Sequence, residues 1–122
     1  MKIKTSELTG AALDWAVAVC LGAVWQPKSV RASFFIWPGA PVKYSAHAPR
    51  YSTDWAQGGP IIEREGVCLR RGHSGWWIAC TLSANDDEQF MMVSPTPLAA
   101  AMRCYVASKL GNEVDVPEEL MK

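Results

Sequence analysis

A chain of 122 residues, 49% apolar and 20% charged, has the size and composition of a single folded domain, residues 1–122, that can close a core without cross-links. Twelve basic and twelve acidic residues cancel, which excludes general electrostatic attraction to DNA, RNA or anionic lipid and favours self-association into a homo-oligomer. The longest apolar run near the start, AALDWAVAVCLGAVW, is interrupted by Asp14 and too short to span a bilayer, and MKIKTSEL leads to no cleavable leader, so the chain reads as cytoplasmic, with no membrane partner.

The first predicted element is a helix. Thr9 can cap GAALDWAVAVCLG, in which Leu13, Ala16, Val17, Cys20 and Leu21 recur at helical spacing, and Gly22 is a natural C′ residue. The opposite side (Ala11, Ala12, Trp15, Ala18, Val19) is apolar too. Such a helix belongs either deep in a core or at a subunit contact, with Asp14 facing water or a partner. Pro27, Pro38, Pro41 and Pro49 then forbid a long helix. ASFFIW fits a short strand ended by Pro38-Gly39, and the rest of 23–50 reads as an irregular loop.

Ser52, Thr53 or Asp54 can start a second helix just before Trp55. Pro60 suits the first turn of a helix PIIERE closed by Gly66, and the pair Gly58-Gly59 weakens regular structure between them. The period then changes to two. GVCLRR, GWWIACTL and QFMMVS, separated by RGHSG and SANDDE, read as a three-stranded antiparallel meander. In the middle strand Trp76, Ile78 and Cys80 point one way and Trp77, Ala79 and Thr81 the other. One indole therefore belongs to the core; the other either lies under a helix or is exposed, and an exposed one marks a contact or ligand surface.

The last helix is the clearest: Thr96 as N-cap, Pro97 at N1, a stripe of Leu98, Met102, Tyr105, Val106 and Leu110, Lys109 near its end and Gly111 at C′. Arg103 and Lys109 are expected on its surface, and VDVPEELMK as a short polar tail with one helical turn. The fold class is α+β: a small antiparallel sheet, the meander plus an extra strand, sandwiched by helices.

The chemistry-bearing stretch is YSTDWAQGGPIIERE. Tyr51 and Trp55 offer flat faces for a base to stack on. The helix start at Ser52, Thr53 and Asp54 offers N–H groups to an anion. Asp54 and Gln57 can read polar edges, Gly58 and Gly59 admit a close approach, and Arg64 can meet a phosphate. Together these are the parts of a site for a nucleotide-derived small molecule. The simpler reading is a helix cap, a core indole, a turn and a solvated face, because no standard phosphate loop is present. Arg70, Arg71 and His73 form a small basic cluster that could meet a phosphate, but a solvated turn is the simpler reading.

No catalytic residue set emerges: G-x-S-x-G and H-E-x-x-H are absent, and Cys80 lies mid-strand, poorly placed to pair with His73. Cys20, Cys68, Cys80 and Cys104 form no C-x-x-C pair and sit in apolar stretches, so they are expected reduced and buried. With His47 and His73 they offer no short-spaced ligand set, so neither a metal nor a cofactor is expected.

The segments KTSELTGAALDWAVA, YSTDWAQGGPIIERE and SPTPLAAAMRCYVASKLG, in that order, resemble the NinX-like phage family, small proteins of lambdoid phages and prophages with a phage ABA sandwich domain. The resemblance implies helices sandwiching a sheet and an accessory role in the host cell. It brings no catalytic residues. By analogy with other small phage proteins it suggests blunting a host defence by sequestering a nucleotide-derived signal. A module gripping a host protein, and a small nucleotide hydrolase or transferase, are the alternatives.

Overall fold

The computed structural model describes residues 1–22, 50–82, 85, 87–117 and 120 fully and the backbone of two strands, Val24–Ser29 and Ala32–Ile36. The chain runs β1 (Lys2–Lys4), a 3-10 turn (Thr5–Glu7), α1 (Gly10–Cys20), β2 (Val24–Ser29), β3 (Ala32–Ile36), α2 (Trp55–Glu65), β4 (Cys68–Arg71), β5 (Trp77–Leu82), β6 (Glu88–Ser94), α3 (Pro97–Leu110) and β7 (Glu113–Asp115). This is the expected α+β class. The described strands pair antiparallel in three groups: β1 with β7, β2 with β3, and the meander β4-β5-β6. The ASFFIW strand is present as β3, with β2 as its partner in the segment read as loop. Pro38-Gly39 and His47 lie outside the described residues.

Helix α3 is the centre of the core. Its caps form as its sequence dictates: the Thr96 hydroxyl accepts the Ala99 N–H at 3.4 Å, Pro97 occupies N1, and Gly111 takes the positive φ of 87°. The meander packs on one side of α3, while α1 and α2 pack against it from elsewhere. A helix covered on several sides needs small and apolar residues all round, and Leu98 and every residue from Ala100 to Ala107 are buried. Among the described residues the helices thus lie on one face of the meander, with α3 between the sheet and the other two. Full burial of side chains such as Leu13, Met102 and Val106 contributes about 1.5–3 kcal/mol each.

Helix α1 is deep in this core, every residue from Ala12 to Ala18 being buried. Of the two settings its sequence allowed, the interior is the one observed. Asp14 does not face water. It is only 7% exposed and accepts the Ser52 backbone N–H at 2.8 Å. Burial is the larger influence on its carboxyl and pushes the pKa up, while the Ser52 contact and the Arg50 charge pull it down.

Arg103 is a second correction. It is buried, its Nε donating to Leu8 O at 2.7 Å and an η-nitrogen to Val93 O at 2.6 Å, and so ties α3 to the start of α1 and to β6. The tail is corrected too. Glu113–Asp115 pairs with Lys2–Lys4, and Val114 and Val116 are buried, because alternation puts both valines on one side. Beyond the strand, the Leu120 N–H donates to Pro117 O at 3.0 Å, a single turn.

Candidate functional site

The Tyr51–Arg64 segment folds as a cap and one continuous helix. Asp54 is the N-cap: one carboxylate oxygen accepts the Ala56 N–H at 2.9 Å. The Gln57 amide donates to the other at 3.2 Å and its oxygen accepts the Arg50 N–H at 2.9 Å. The edges expected to read a ligand are thus occupied in closing the loop onto the helix. The Gly58-Gly59 pair does not interrupt α2, and Pro60 sits at its sixth position, not in a first turn. A Cβ on Gly58 would collide with Tyr51 O and come within 2.6 Å of Leu98 Cδ1, so this glycine admits another part of the chain. Gly59 is open, with only the Trp55 ring at 3.9 Å. Thr53 is exposed. Tyr51 is half-buried against the core, and its phenol pKa is raised by burial first, then by the Asp14 and Tyr105 charges.

Trp55 is the residue that stands out, 53% exposed at the first turn of α2. Arg64 does not join it. Nine residues separate the two, about two and a half turns, so they leave opposite sides of the helix. Arg64 instead lies at the α2–α3 seam: its guanidinium contacts Glu65 at 3.2 Å, the Tyr105 hydroxyl at 3.4 Å and the Tyr105 ring at 5.9 Å. Lys109 reaches Glu65 at 3.3 Å. Burial raises the Glu65 pKa, but these two cations outweigh it and hold the carboxyl below its usual value. The segment therefore brings Tyr51, Trp55 and Gly59 to one end of α2 and leaves Arg64 at the other.

A second surface is larger. Trp77 and Ala79 pack toward α3, so alternation turns Trp76 and Ile78 to the outer face of the meander, where Trp76 is 46% exposed. On β6, Met91 and Val93 share that face, at 48% and 44% exposure, and Leu82 on β5 is exposed as well. Between Ala79↔Met92 and Thr81↔Gln89 the ladder gains one residue on β6, placing Phe90 and Met91 opposite Cys80. Phe90 takes φ = 54° in this bulge, a conformation unfavourable for a bulky side chain, and is exposed. Among the described residues no helix lies over this face. Trp76 was legible in the sequence as a candidate for this face, whereas Phe90, Met91 and Val93 were not. The signal was present in QFMMV, which carries more large apolar residues than alternation over one buried face requires.

The basic cluster of β4 is dispersed. Arg70 pairs with Glu88 across the outer face, while Arg71 lies 6.0 Å from the Trp77 ring. Register excludes a Cys–His dyad: Cys80 pairs with Cys68, three rungs from the Arg71↔Trp77 pair beside the turn that carries His73. Cys68 is exposed, against expectation, because it lies on an edge strand of the meander. Among the described residues no group of three His, Cys, Asp or Glu side chains is placed to hold a metal ion, and no helix is long and apolar enough to cross a membrane. A depression of about 330 Å³ is lined by Lys4, Ser6, Met92, Asn112 and Glu113, none of them a predicted site residue.

The described architecture is thus a small α+β domain with an exposed sheet face and exposed indoles. The family model described as Bacteriophage P22, NinX matches residues 4–109, and the chain belongs to that phage protein family. A search of curated proteins returns no match.

Proposed function

We propose that this phage accessory protein works by binding, without catalysis, and that its working surface is the outer face of the meander, which grips a host protein. The observation carrying this reading is the outward set Trp76, Met91 and Val93, with Leu82 and Phe90 exposed alongside. Large apolar and aromatic side chains left open together on one sheet face mark contact surfaces. The test is capture from host lysate by the wild-type protein and by a Trp76→Ser/Met91→Glu variant, with light scattering in parallel. The wild type is expected to retain a discrete partner that the variant loses, by about tenfold or more given what a buried Trp anchor contributes. Equal capture by both proteins defeats the reading, and a wild-type dimer that the variant dissolves reassigns the face to a second copy.

A second reading, a flat nucleotide-derived ligand stacked on Trp55 above Gly59, is favoured by the exposure of that ring and the open space at the glycine. Asp54 and Gln57 would contribute only the lone pairs and protons left over from the capping bonds. Isothermal titration with cyclic and ADP-ribose-type nucleotides tests it. Binding abolished by Trp55→Ala supports it, and no heat at millimolar ligand removes it.

A further inference from the structure

We propose that Cys68 and Cys80 form a reversible dithiol–disulfide site that clamps β4 to β5. The proposal stands apart from the partner reading. Its basis is the ladder itself, in which Cys68 and Cys80 are directly opposed Cα partners on neighbouring antiparallel strands. Opposed residues in such a ladder have Cα atoms about 4.5 or 5.5 Å apart depending on the pair type, and both separations fall within the range a disulfide spans. Alternation turns both side chains to the same face of the sheet.

The two thiols are unequal in a way that suits exchange. Cys68 is exposed and Cys80 is buried. The reason for the burial lies in the register. Arg70 stands opposite Ile78, and Glu88 stands opposite Leu82, so their ion pair crosses the middle strand at the level of Cys80. The Cys80 thiol is pushed up in pKa by burial first, then by Glu88 and Cys68, with Arg70 opposing. Cys20 and Cys104 are held at about 12 by burial and stay out of the reaction.

The oxidant is a low-molecular-weight disulfide. The Cys68 thiolate attacks one of its sulfurs, forming a mixed disulfide and expelling one thiolate. Cys80 then gives up its proton and attacks the Cys68 sulfur, expelling the second thiolate. The protein loses two hydrogens and the small disulfide becomes two thiols.

The test treats the purified full chain with oxidised glutathione, alkylates under denaturing conditions and maps peptides without reduction. The expected result is a Cys68–Cys80 linked peptide, with Cys20 and Cys104 alkylated and the linkage reversed by dithiothreitol. A Cys80→Ala variant is expected to stop at the Cys68–glutathione mixed disulfide. The proposal is overturned if wild-type protein also stops there with Cys80 alkylated, if Cys68 links two copies instead, or if Cys68 does not react while a denatured control does.

Discussion

Arg103 is a cation drawn into the interior by two carbonyls, Leu8 O and Val93 O. Burial lowers its pKa, but a guanidinium is basic enough to keep its charge at neutral pH. Arg103→Ala leaves both acceptors short of a donor and opens a hole beside β6. It is expected to lower stability by about 2–4 kcal/mol, read as a shift in urea midpoint at unchanged slope. Asp14 tests the opposite charge. Its folded pKa lies above the unfolded value of 3.8, so between the two the folded state binds more protons and this group's contribution falls as pH rises. Glu65, Glu88 and Asp115 are held below their ordinary values and act in the other direction, losing stability as pH falls. Asp14→Asn keeps an acceptor for the Ser52 N–H and removes only the titration. The stability of wild type relative to Asp14→Asn is therefore expected to improve as pH drops from about 7 to 4 in thermal melts. Neither burial was legible in the sequence. Periodicity marks where a polar residue interrupts an apolar pattern, but Asp14 is satisfied by a backbone N–H 38 residues away and Arg103 by carbonyls 95 and 10 residues away.

Helix α2 shows how far local rules reach. Its N-cap at Asp54 and its left-handed C-cap at Gly66, φ = 66°, follow from residue type alone. Its continuity through Gly58, Gly59 and Pro60 does not, since each is a poor helix former. Packing overrides propensity here, because Gly58 lets α2 press onto Leu98 and the Tyr51 carbonyl. The adjacent glycines should therefore respond unequally to one methyl group. Gly58→Ala forces a clash in the core and is expected to cost about 1–3 kcal/mol or more. Gly59→Ala meets only the Trp55 ring beyond its chain neighbours, and its gain in helix propensity is offset by crowding against Pro60, so it is expected to change stability by less than about 1 kcal/mol. Thermal unfolding of the two variants checks the contrast. The meander was legible because its three runs alternate between clear turn signals. The short β1 and β7 were not, because three residues carry too little pattern and their pairing joins positions over a hundred residues apart.

At the scale of the molecule, the helices cluster about α3 and, among the described residues, leave one sheet face open. The sequence marked this face in part: the Trp76-Trp77 pair puts one indole on each face of the sheet, the second either under a helix or exposed. It could not say that the exposed one would be joined by Met91 and Val93, since that depends on the β6 register and on a bulge at Phe90. It pointed instead to the Tyr51–Arg64 cluster, where residues near in sequence diverge in space because a helix turns them apart. The most direct measurement places a photo-crosslinking amino acid in turn at Met91, Trp55 and the exposed Glu63 in phage-host cells. A discrete protein adduct from position 91, absent from 55 and 63, is the predicted result. No adduct from 91, or the same adduct from all three positions, contradicts the account.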